Sequence, residues 1–189
     1  MMDDADMMHG GDWHGEDLAG WLVGEKLHGC RVFWDGSRLW TRGGCEVRIP
    51  HGWAEALPGA RLDGELWAGY GGFKTAMLAT NYGRFTPAVR LMVFDVDGPG
   101  NFEERQDAAR RLVDGLDFAE IVTHVPCPST AAAIARMLEV QATGGEGLVA
   151  RHPGNRYRAG RTREVLKLKT AVGEIGACSA GPLREMCHV

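Results

Sequence analysis

Long apolar runs are absent. None approaches the roughly 18 consecutive residues that a bilayer-spanning helix needs, so no membrane partner is expected. Cysteine is sparse and badly placed for staples: Cys30, Cys45, Cys127, Cys178 and Cys187 are odd in number, and none stands in a CxxC pair. That argues against a zinc site and a disulfide framework, and makes a reducing cytoplasm the expectation. The amino terminus, MMDDADMMHGGDWHGED, lacks both a basic and an apolar stretch, so it does not read as a secretory signal. It reads as a flexible leader over residues 1–20. Internal repeats and low-complexity tracts are also missing. So is an excess of positive charge. The formal net charge is −4, the wrong sign for a protein that binds nucleic acid by its total charge alone.

What is present is an ordinary globular composition, 44% hydrophobic and 24% charged over 189 residues. That length suits one domain with a sizeable core or two small ones. Charge is unevenly spread. Arg151, Arg156, Arg158, Arg161, Arg163, Lys167 and Lys169 face a single Glu164 in one stretch, a local basic stripe available to phosphates. Short strands are read at residues 21–24, 31–34 and 38–42, with Asp35-Gly36 as a hairpin turn between the last two. LMVFDV (91–96), residues 147–151 and residues 165–169 are read as further strands. Ala109, Leu112, Val113 and Leu116 fall at helical spacing, as do Ile134, Met137 and Leu138. The pattern predicts a mixed α+β domain rich in antiparallel strands.

Four segments carry chemistry. EKLHGCR puts Lys26 just after a strand, with Gly29 three residues on. LDGELW presents Asp63 and Glu65 two apart, on one face if extended. GGEGLVAR places Glu146 between glycines before an apolar strand. VLKLK alternates, so Lys167 and Lys169 share a face that needs an anion or open solvent. Each alone reads as a solvated surface feature. Together they offer a nucleophilic amine, two carboxylates suited to a hard divalent cation, and cations for a phosphate: the equipment for nucleotidyl transfer. Gly69, Gly71 and Gly72 read as a flexible turn, the tryptophans as packing or surface anchors with Trp13 in the leader, and His124 and His152 have no partners at metal-ligand spacing.

In order, EKLHGCR, WTRGG, LDGELW, LMVFDV, GGEGLVAR and VLKLK resemble motifs I, Ia, III, IIIa, IV and V of the covalent nucleotidyltransferases. WDGSRLWTRGG, FEER at 102–105 and NRYRAGRTREVLKLKT resemble the small bacterial and phage ATP-dependent DNA ligases, including the Lig E type. The resemblance covers residues 21–170 and implies an ATP-grasp-like adenylation domain of antiparallel sheets flanked by helices. It implies Lys26 as the residue that is covalently adenylated. Glu25, Arg31, Arg42, Glu65, Phe94, Lys167 and Lys169 would contact ATP, with Phe94 stacking on adenine or, on the residue pattern alone, serving as a core phenylalanine. Glu65 and Glu146 would hold Mg²⁺ or Mn²⁺. Arg42, Arg156, Arg158, Arg161 and Arg163 would meet nucleic acid. The implied activity is sealing of nicked double-stranded DNA in repair, replication or recombination, by a monomer in a bacterial or phage-infected cytoplasm.

Two departures bear on that expectation. His28 stands where the family pattern, lysine, any residue, aspartate, glycine, has its acid. A histidine there also occurs in some RNA ligases, which keeps an RNA ligase as an alternative. Twenty residues follow Lys169, too few for a five-stranded OB fold. Residues 171–189 are therefore read as an atypical tail. Weak sealing, an OB-fold domain supplied separately, or a catalytically impaired nucleic-acid-binding remnant are the corresponding expectations.

Overall fold

The computed structural model describes residues 6–169; the tail expected at 171–189 lies outside the described residues. Two sheets carry the fold. One is six-stranded, in the order β5-β4-β3-β6-β7-β8, from Glu46–Val47, Leu39–Thr41, Cys30–Trp34, Leu62–Trp67, Arg90–Val96 and Ala119–Ile121. The other is five-stranded, in the order β1-β11-β10-β2-β9, from Met8–Asp12, Gly160–Leu168, Gly147–Arg151, Leu22–Lys26 and His124–Pro126. Neighbours pair antiparallel except β7 with β8 and β1 with β11, which are parallel. The helices are α1 (Trp53–Ala56), α2 (Phe73–Tyr82), α3 (Phe102–Val113) and α4 (Thr130–Ala142). The α+β architecture agrees with the expectation. No helix among the described residues is long and apolar enough to cross a membrane.

Alternation in the strands builds two cores. Val32, Trp34, Leu62, Leu66, Leu91 and Val93 turn to one side of the larger sheet and pack with Ala109 and Val113 of α3. Val23, Leu148, Ala150, Leu166 and Leu168 turn to one side of the smaller sheet and meet Met137 and Val140 of α4. The FEER segment starts α3. Asn101 accepts from Glu104 N–H, and the Glu104 carboxylate accepts from Asn101 N–H. This capping box satisfies two otherwise unpaired amides and stabilises the helix start by about 1 kcal/mol.

The first twenty residues are not a leader throughout. From Met8 to Asp12 the chain is a strand paired with β11, and Met7, Met8, Trp13 and Leu18 are buried. Trp13 packs in the smaller sheet's core and donates its Nε1–H to Glu16 O at 2.9 Å. Strand pairing satisfies the backbone of a segment whose composition alone looked polar. The last strand also begins earlier than expected, at Gly160, because β1 pairs along its first half. Leu116 falls beyond the end of α3, in the turn towards β8.

Candidate active site

The chain leaves the smaller sheet at Lys26, the last residue of β2, and enters the larger one at Cys30, the first residue of β3. Lys26 therefore sits where the two sheets face one another across a cleft of about 390 Å³. Register explains the cleft floor. Lys26 lies opposite Gly147, Gly24 opposite Val149, and Val149 opposite Lys167, so these residues share one face of the smaller sheet. Leu166 and Leu168 take the opposite face, in the core. The alternation in VLKLK thus sends both lysines into the cleft.

Lys26 Nζ donates to Glu146 Oε2 at 2.7 Å. Lys169 Nζ lies 3.8 Å from Glu146 Oε1. Burial lowers the pKa of Lys167, and the charges of Lys169, Lys26 and Arg31 add to that effect against an opposing contribution from Asp12. From the larger sheet, Glu65 Oε1 accepts the Gly29 N–H at 2.6 Å. That approach requires glycine: a Cβ at position 29 would collide with the Leu66 carbonyl and come within 3.2 Å of Glu65 Oε1. Burial pushes Glu65 up to about 7, with Glu146 adding to the rise and the Gly29 amide, Lys26 and Arg31 opposing it.

The larger sheet's wall is tied by ion pairs. Asp63 is fully buried and takes Arg31 through two bonds, Nε to Oδ1 at 3.0 Å and Nη2 to Oδ2 at 2.6 Å. Tyr157 Oη donates to the same carboxylate at 2.8 Å. Asp95, also fully buried, holds Arg105 at 2.8 Å and Arg151 at 2.9 Å. Arg151 therefore leaves the exposed basic stripe in which its sequence position had placed it. A buried carboxylate needed its charge more than the surface did.

The expected residues are distributed as follows. Lys26, Arg31, Arg42, Glu65, Phe94, Lys167 and Lys169 line the cleft, and Glu146 adjoins it through Lys26. Phe94 lines the cleft and also packs on the Leu27, Met92 and Val122 cluster. Glu25 borders the cleft, but it lies opposite Leu148 on β2, which turns its side chain to the other face. There it accepts from Tyr70 Oη at 3.2 Å, so what it offers the cleft is backbone. Arg156, Arg158, Arg161 and Arg163 are exposed and lie outside the cleft lining. His28 is exposed and stacks on Phe73 at 4.7 Å.

His9, His124 and Arg151 also line the cleft. His9 arrives on β1, a segment whose composition reads as a leader. Arg151 reads as surface from its place in the basic stripe. His124 has no partner at metal-ligand spacing in the sequence, but its alternation with Val122 places both in the lining. Among the described residues no group of three His, Cys, Asp or Glu side chains forms a metal site by itself.

No protein-family model matches the sequence. Solved structures that superpose on this chain include DNA ligases. A Lig E DNA ligase superposes with a TM-score of 0.79 at 27% identity, covering 90% of this chain and 70% of that one. Chlorella virus DNA ligase-adenylate gives 0.72 at 18% identity, covering 87% and 68%. The ATP-dependent DNA ligase of bacteriophage T7, in complex with ATP, gives 0.65 at 14%, covering 87% and 68%. The fold is thus that of the nucleotidyltransferase domain of ATP-dependent DNA ligases. In sequence, the chain is 32% identical over 175 residues to a DNA ligase of Haemophilus influenzae, across 90% of its own length. The chain is similar to these ligases in fold, and it spans 65% of the length of the Haemophilus protein.

Proposed function

We propose that this chain is the adenylating core of an ATP-dependent DNA ligase. The observation that carries the reading is Lys26: its amine ends a strand inside the cleft, 2.7 Å from the Glu146 carboxylate, with Lys167 and Lys169 on the same face. Glu146 takes the ammonium proton. The freed Nζ attacks the α-phosphorus of ATP, an N–P bond forms, and the P–O bond to pyrophosphate breaks. Lys167, Lys169 and Arg31 offset the charge that gathers on the phosphate oxygens. A 5′-phosphate oxygen at a DNA nick then attacks the same phosphorus and releases Lys26. The 3′-hydroxyl finally attacks the activated 5′-phosphate, and AMP leaves.

Glu65 and Glu146 flank Lys26 with hard oxygen donors. Two carboxylates completed by substrate phosphates and water suit Mg²⁺ or Mn²⁺, which needs no cage of three protein ligands. The ion would offset phosphate charge when bound. Arg42 at the cleft and the exposed Arg156, Arg158, Arg161 and Arg163 supply phosphate contacts that hold the nicked strand without reading bases.

The test is labelling with radioactive ATP and magnesium on a denaturing gel, followed by a chase with nicked duplexes. Wild-type protein acquires label and Lys26→Ala acquires none. The label passes to nicked DNA. Transfer to nicked RNA alone would overturn the DNA assignment and favour the RNA ligase that His28 suggests.

A further inference from the structure

His124 reaches the cleft from β9, where it pairs with Gly24 of β2. The pairing turns its side chain to the face that carries Lys26, Val149 and Lys167. The imidazole lies over the Gly24 backbone, and a Cβ there would come within 2.8 Å of Cδ2, Cε1 and Nε2. The Nε2 end thus covers Gly24, whose other neighbour is Val149 in the cleft floor. The residue is 7% exposed, and Phe102 meets its ring edge-on at 4.9 Å.

The opposite edge is engaged by Gln106. Gln106 Oε1 accepts the His124 backbone N–H at 3.2 Å, and its amide nitrogen donates to the Val122 carbonyl at 3.2 Å. These two backbone bonds fix which way the amide points. Its second hydrogen meets His124 Nδ1 at 2.8 Å. The Gln106 amide at 2.8 Å favours a lone pair on Nδ1, against the Val122 carbonyl 3.0 Å away, which would accept a proton there. A proton on Nδ1 would face the amide hydrogens. Burial, and then the charge of Arg151, push the imidazole down to about 3, so the ring is neutral. A neutral ring with a bare Nδ1 carries its hydrogen on Nε2. That Nε2 is buried and has no hydrogen-bond partner among the described residues. Buried donors seldom stay unmatched, because the unmade bond costs stability.

We propose that His124 reads the nucleobase, donating its Nε2–H to a ring nitrogen of the bound adenine. The inference rests on the ATP reading above. Val149, Val122 and Phe94 give the cleft apolar surface for a flat base, and adenine offers lone pairs at N1, N3 and N7. One fixed donor separates a ring nitrogen from a C–H or N–H at the same place.

The test is binding of ATP and of its 1-, 3- and 7-deaza analogues, each with one ring nitrogen replaced by C–H, to wild-type protein and to His124→Ala. One analogue binds wild type about tenfold more weakly than ATP does. The variant binds ATP about as weakly, and that analogue no more weakly still. Equal binding of ATP and all three analogues by wild type overturns the proposal, and so does a deaza penalty of the same size in the variant. Wild-type protein that binds no ATP defeats the underlying nucleotide reading, and this assignment with it. Nitrogen NMR of the wild-type imidazole decides independently of any folding defect in the variant: hydrogen on Nε2 supports the proposal, and hydrogen on Nδ1 overturns it.

Discussion

The two walls of the cleft hold charge in opposite ways. On the larger sheet's wall, Arg31 is clamped by Asp63, and Asp95 ties Arg105 of α3 and reaches across to Arg151 at the end of β10 in the smaller sheet. On the smaller sheet's wall, Lys26 and Lys169 pair with Glu146, and Lys167 shares their face. Lysine and arginine thus perform different work a few strands apart. The guanidiniums of Arg105 and Arg151, with fork geometry suited to paired carboxylates, brace the scaffold, while Arg31 is held by Asp63 and still lines the cleft. The ammonium groups meet their carboxylate through single contacts rather than forks and line the cleft, where a phosphate can reach them.

That contrast can be broken from either side. Asp95→Ala should have the largest effect, because it strands two buried guanidiniums. Urea unfolding should report a loss of about 3–5 kcal/mol. Little loss would mean that Arg105 and Arg151 are not held by this pair. Lys167→Ala should do the reverse, slowing enzyme adenylation about 100-fold while the unfolding free energy stays within about 0.5 kcal/mol. A large stability loss without a rate effect would move Lys167 to the structural side of the comparison.

Glu65 gives the smallest and most diagnostic effect. Burial raises its pKa to about 7 in the folded protein, above the ordinary 4.5. The folded state therefore binds more protons between those values. The contribution is fully present below about pH 4.5 and is lost as pH rises through about 7. Unfolding in urea with chelator present should show stability declining by about 1–2 kcal/mol across that window, after allowance for solvent screening. Glu65→Gln should flatten that part of the profile. An unchanged slope in the variant would place the titration elsewhere.

Much of this contrast was legible in the sequence, though not all of it. The paired lysines of β11 could be read because alternation survives where one face is buried, and Gly147–Arg151 because it is a short apolar run preceded by glycines. Lys26, Glu65 and Glu146 could be selected because the chemistry needs those residue types together, and the fold does bring them to one cleft. β1 could not be read: MHGGD has weak strand propensity and is ordered by pairing with residues about 150 positions away. The division between Arg151 and Arg156 was equally hidden. Both lie in one basic run, and only the buried Asp95 in LMVFDV separates the structural arginine from the exposed one. His124 is hidden for a similar reason, since its setting is made by Gln106 of α3 and Gly24 of β2, neither of them its neighbour in sequence.

The central claim is that Lys26 forms a covalent bond to AMP. Mass mapping of the wild-type protein after incubation with ATP and magnesium tests it most directly. The account predicts one adenylate, acid-labile as a phosphoramidate, on the peptide that contains Lys26. An adenylate on Lys167, Lys169 or any other residue, or none at all, would contradict it.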